Sequence, residues 1–111
     1  MEIEKNELEN IVYQKLKKLP EIFKEKLENV EFIIEDSDSP HLLGLYHGVP
    51  FGKRKSGYHL MMPDKIIIYR RTFERICRNR KELEEKVEQV LFHEIGHYFG
   101  FTEEQLRKLK Y

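Results

Sequence analysis

The chain has 111 residues, 40% hydrophobic and 36% charged, with 20 basic and 20 acidic side chains. That length suits one domain with one core, and seven Phe and six Tyr argue against a disordered chain. No apolar run approaches the roughly 18 residues of a membrane span, and the acidic start Met1-Glu2-Ile3-Glu4 is unlike a signal peptide. A single cysteine, Cys77, excludes an internal disulfide, so a reducing cytoplasm is the expected setting.

The neutral total hides a gradient. Residues 1–39 carry six basic and eleven acidic side chains, residues 40–81 ten and two, and residues 82–111 four and seven. A basic middle between acidic flanks reads first as ion pairing within the fold and only second as a polyanion surface.

In chain order, Ile3, Leu8, Ile11, Val12, Leu16 and Leu19 recur at helical spacing up to Pro20. Pro20 opens a second, shorter helix with Ile22, Phe23 and Leu27 on one side. The alternating, β-branched run Val30–Glu35 predicts a strand, with a turn at Asp36-Ser37-Asp38-Ser39-Pro40. Residues 40–63 hold four of the six Gly and three of the four Pro. There a short strand at 42–46 and a long loop around Lys53-Arg54-Lys55 are expected, and so long a loop is more often functional than idle. Ile66-Ile67-Ile68-Tyr69 is the clearest strand, with Asp64 after Pro63 as its turn or cap residue. Thr72 is placed to cap a short helix ending near Arg78-Asn79. Leu83, Val87, Val90, Leu91, Ile95 and Tyr98 then mark a helix of about five turns, stopped by Gly100. Thr102 and Gln105 form a capping box for a last helix toward Leu109. Without repeats or linkers, residues 1–111 are expected to form one α+β domain, helices packed on a small sheet.

The long helix carries His93-Glu94-Ile95-Gly96-His97, the H-E-x-x-H pattern. Residues four apart share one helix face, so both imidazoles can reach one metal ion, with Glu94 beside them as a general base. At ~100° per residue, Val90, Leu91, Phe92, Ile95, Tyr98 and Phe99 cover most of the circumference. His93, Glu94 and His97 share the arc that remains. This turn is expected to be buried, where a carboxylate is costly without a cation or hydrogen bonds. In this composition the bare pattern arises by chance about once in thirty chains; adding Gly100 and an acid at 103 cuts that to about one in three thousand.

A zinc site needs a third protein ligand. In the extended pattern it stands ten residues after the first histidine, which here is Glu103. Gly100 allows the left-handed turn that would bring it back across the metal. Glu104 and a loop histidine (His41, His47 or His59) are the alternatives. Arg54, His59 and Tyr69 are the candidate substrate contacts, with the 66–69 strand as an edge on which a peptide could pair. Cys77 reads as a small core residue.

From about Leu42 onward the chain resembles the small zincin-like, metzincin-related zinc metallopeptidase family of bacteria. The resemblance is carried by Leu43-Gly44-Leu45-Tyr46-His47-Gly48-Val49-Pro50, Pro63-Asp64-Lys65-Ile66 and His93-Glu94-Ile95-Gly96-His97-Tyr98-Phe99-Gly100. It implies a cytoplasmic, zinc-dependent fold of helices around a short sheet. Two departures stand out. The family commonly has Asp where this chain has Glu103, and no Met-turn follows the helix, since Met61 and Met62 precede it.

The expected activity is hydrolysis of peptide bonds by a zinc-bound water that Glu94 activates, with one Zn²⁺ on His93, His97 and Glu103. One rival is a non-catalytic, zinc-stabilised module that binds peptides. The other is a zinc-dependent single-strand endoribonuclease, which suits the basic middle but does not typically carry the glutamate after the first histidine. Peptide or protein is therefore the expected partner, ahead of nucleic acid.

Overall fold

A computed structural model describes residues 1–36, 42–50 and 63–111. Among these residues the elements run α1 (Lys5–Leu16), α2 (Glu21–Lys26), β1 (Val30–Glu35), β2 (Gly44–His47), β3 (Asp64–Tyr69), α3 (Arg70–Ile76), α4 (Arg80–Tyr98) and α5 (Glu103–Lys108). Most of the expected 36–40 turn and the loop around Arg54 lie outside the described residues, as do His41, His59, Met61 and Met62.

The three strands form one mixed sheet in the order β1-β3-β2, with β3 parallel to β1 and antiparallel to β2. Alternation along β3 turns Asp64, Ile66 and Ile68 inward, all essentially inaccessible. Ile66 and Ile68 meet Leu8, Ile11 and Val12 of α1 and Leu83, Val87, Leu91 and Ile95 of α4 in a common core. α4 packs against β2, β3 and α1, so the sheet rests on the longest helix. The fold is α+β, as expected.

One local reading needs correction. Thr72 does not cap α3; it lies inside that helix and is buried. The helix begins at Arg70, directly after the last residue of β3, which leaves no room for a linker that Thr72 could end. On α2, Ile22 is 59% exposed, Phe23 meets Phe99 edge-on with ring centroids 5.3 Å apart, and Leu27 at the C-cap packs against the core.

Among the described residues, Arg70, Arg78 and Arg80 of the basic middle pair with the acidic flanks. Arg70 donates to Asp36 Oδ1 at 2.7 Å and to Glu74 Oε2 at 3.1 Å, and also to the Ile3 carbonyl at 2.8 Å. Arg78 pairs with Glu82 at 3.0 Å and Arg80 with Glu7 at 3.6 Å.

α4 ends in a Schellman turn. Gly100 N–H donates to the His97 carbonyl at 3.0 Å and Phe101 N–H to the Gly96 carbonyl at 2.9 Å, with Gly100 at φ +89°. The capping box of Thr102 and Gln105 then opens α5. Leu106, the buried residue of α5, seats against Gly96, where a Cβ would stand 2.4 Å from its Cδ2. A Cβ at Gly100, by contrast, would meet nothing within 4 Å, so Gly100→Ala isolates the backbone cost. Urea unfolding should show a loss of about 1–2 kcal/mol. An unchanged midpoint would mean that the turn does not require its left-handed residue.

Candidate metal centre

The last two turns of α4 carry His93, Glu94 and His97. The Schellman turn reverses the chain, and the N-terminus of α5 brings Glu103 against both imidazoles. Glu103 Oε1 lies 2.7 Å from His97 Nε2 and 3.3 Å from His93 Nε2. The two Nε2 atoms are 3.2 Å apart. His97 Nδ1 faces the Phe101 carbonyl at 3.2 Å, which requires the proton on Nδ1 and leaves the Nε2 lone pair facing the cluster.

These three residues satisfy the chemistry of a cation site. One ligand atom from each lies within 4.8 Å of the others, and all three atoms can act as acceptors. Two nitrogens bound at about 2.0–2.1 Å to one tetrahedral ion stand about 3.3 Å apart, close to the separation found here. Two imidazoles and a carboxylate are also an ordinary zinc donor set. Burial alone would push the Glu103 carboxyl up. When the ring nitrogens facing it carry protons, the hydrogen bonds and charges of His97 and His93 outweigh it and hold the group below its usual range.

Glu94 lies beside this cluster but belongs to a different environment. It is 8% exposed, and its Oε1 accepts the Tyr46 backbone N–H at 2.9 Å. Burial raises its pKa, against the lowering effect of His93, His97 and the Tyr46 hydrogen bond. The donor comes from β2, the outer strand beside β3 among the described residues. Tyr69 N–H donates to the Leu43 carbonyl at 2.9 Å, and the register pairs Gly44 with Ile68 and Tyr46 with Ile66. By antiparallel alternation, the main-chain groups of Gly44 and Tyr46 turn away from β3.

A cleft of about 630 Å³ runs between β2 and the helix. It is lined by Leu42, Leu45 and Phe101 together with His93, Glu94, His97 and Glu103. The strand beside the site is therefore β2. The 66–69 strand, expected to offer an edge for a peptide, is the central one and is paired on both sides. Tyr69 lies at its end, opposite Glu35 of β1, and does not line the cleft. Glu104 directs its carboxylate toward Lys108 at 3.8 Å, and His47 is exposed opposite Lys65. Arg54 and His59 fall outside the described residues. Sequence reasoning missed Tyr46 and assigned Asp64 to a turn. Asp64 is 1% exposed and accepts the Tyr46 hydroxyl at 2.6 Å. Nothing in the local pattern links position 46 to position 94; the signal the sequence carries is that Tyr46 and Asp64 lie in Leu43–Pro50 and Pro63–Ile66, two of the segments that resemble the family.

The chain belongs to the zincin-like metallopeptidase family, whose model matches residues 21–111. No curated protein sequence matches it.

The contact of Glu103 with both histidines sets the expected behaviour of three variants. Glu103→Ala should weaken zinc binding severely, whereas Glu103→Asp and Glu103→His should each retain much of it. Zinc titrations, with thermal melts in the presence and absence of chelator, measure this. A residue that only favours the helix N-terminus would cost at most about 1 kcal/mol of stability and leave zinc affinity unchanged.

Proposed function

We propose that the protein is a zinc peptidase that hydrolyses peptide bonds, with one Zn²⁺ held by His93, His97 and Glu103 and with Glu94 as general base. The observation that carries this reading is a buried carboxylate, Glu94, set directly beside a three-atom donor cluster at the floor of an open cleft. Zinc, when bound, supplies a Lewis acid that polarises the scissile carbonyl and makes water more acidic. His97 holds its Nδ1 proton on the Phe101 carbonyl, which keeps Nε2 available. Glu94 is held at Oε1 by the Tyr46 N–H, so Oε2 takes the proton from the attacking water and returns it to the leaving amine. Proton affinity raised by burial suits a group that must both accept and release.

The peptide lies extended along β2, where the outward N–H and C=O of Gly44 offer main-chain pairing. Leu42, Leu45 and Phe101 give its side chains an apolar wall. Glu94 and Glu103 in the same cleft disfavour a polyanion, so peptide is preferred over RNA as substrate. A cytoplasmic location accords with the buried, free thiol of Cys77.

Glu94→Gln should keep zinc and the fold while lowering peptide hydrolysis by about 10²-fold or more. Casein turnover with and without chelator, beside a single-stranded RNA control, is the assay. Zinc loss in Glu94→Gln as complete as in His93→Ala would sink the general-base role. Zinc binding without turnover of either substrate would favour the peptide-binding module.

A further inference from the structure

Asp64 is essentially inaccessible, and no step of the proposed hydrolysis uses it. A carboxylate at that depth is retained only with strong hydrogen bonds. Its bond from the Tyr46 hydroxyl, 2.6 Å long, has the length of a charge-assisted contact. Asp64 is itself fixed at the first position of β3, where its N–H donates to the Asn29 carbonyl at 2.9 Å. Gly48 closes on the same carboxylate; a Cβ there would stand 2.3 Å from Asp64 Cγ. Tyr46 of β2 is thus bonded to Asp64, and Gly48, just past the strand, leaves the carboxylate the room it occupies.

Tyr46 connects that anchor to the site. Its ring lies edge-on to Tyr98 of α4, centroids 6.1 Å apart, and its N–H holds Glu94 at 2.9 Å. β2 is four residues long and, among the described residues, is joined to the sheet through β3. A shift of Tyr46 along or out of the sheet would therefore carry the Glu94 carboxylate with it.

We infer that Asp64 and Tyr46 are positioning residues for Glu94: the buried carboxylate fixes the Tyr46 hydroxyl, and through it the main-chain N–H that aims Glu94 into the cleft. This rests on the general-base role proposed above for Glu94. The unit acts on geometry alone and transfers no proton.

Tyr46→Phe removes one oxygen and leaves the ring and the N–H in place, so it is the direct test. In the zinc-loaded protein kcat for peptide hydrolysis should fall about tenfold, since small displacements of a reacting group are costly. Zinc affinity should not change. Introduced into Glu94→Gln, the same substitution should change the residual rate by less than about twofold, because the two positions act through one contact. A purely structural role for Tyr46 would lower both rates equally, and that result would overturn the inference.

A second readout needs neither metal nor turnover. In the metal-free protein the amide proton at position 46, followed by NMR, should shift in Glu94→Gln, which loses the charged acceptor. It should shift the same way in Tyr46→Phe and exchange with solvent about tenfold faster. Asp64→Asn, which keeps an oxygen for the Tyr46 hydroxyl, should move this amide less than Tyr46→Phe does. An unmoved amide in Tyr46→Phe, or a larger shift in Asp64→Asn, would overturn the inference. If the wild-type protein hydrolyses no peptide, the peptidase reading fails while the amide measurements still decide whether Asp64 and Tyr46 position Glu94.

Discussion

Two imidazole nitrogens and a carboxylate oxygen crowded into mutual contact repel one another unless a proton or a cation sits among them. His93, His97 and Glu103 meet in this way, and much of the C-terminal third of the chain serves the meeting. Residues 93 and 97 share a face because the helix continues unbroken to Tyr98. The left-handed Gly100 reverses the chain within two residues, and Leu106 seats α5 on Gly96. In a chain this small, a cation that relieves the repulsion would also hold α5 down, so metal binding and local folding share one free energy.

The two glutamates of the site face opposite electrostatic problems. Glu103 is 65% exposed and is drawn toward its charged form by the histidines. Glu94 is buried, and its charged form is penalised. One backbone donor from β2 offsets part of that penalty, and it ties the placement of β2 to that of α4. His93, His97 and the Tyr46 N–H all ease the burial of the carboxylate at position 94, and the last of these depends on where β2 lies. The sheet, otherwise remote from the chemistry, thereby acquires a bearing on it.

Much of this was readable from sequence because much of it is local. The H-E-x-x-H turn, the Gly100 reversal and the Thr102 cap lie within thirteen residues, where helical periodicity and turn chemistry are strong signals. Glu103 could be placed near the histidines because a glycine-terminated helix leaves its chain few directions to go. The strand at 30–35 was equally plain from its β-branched alternation. What escaped depends on distant pairing. Whether β2 or β3 forms the sheet edge is decided by which strand β1 joins, and no local pattern encodes that order. The 66–69 run was assigned an edge it does not have for that reason. Asp64 looked like a turn residue because Pro63 precedes it, yet burial of its side chain depends on Tyr46, eighteen residues away. Thr72 followed the capping preference of its residue type, but tertiary packing overrode that preference.

The proposed ligands are not equally anchored. His93 and His97 stand on a nineteen-residue helix whose inner face runs through the core. Glu103 opens a six-residue helix whose buried contact is Leu106. Elements with so little buried surface open locally far more often than the molecule unfolds. The residence time of an ion in this site would then follow the peeling of α5, a fast sub-global event, and would be largely independent of global stability. Such a site would exchange its ion with the surrounding pool while the core remained closed, and its occupancy would follow changes in available metal without delay.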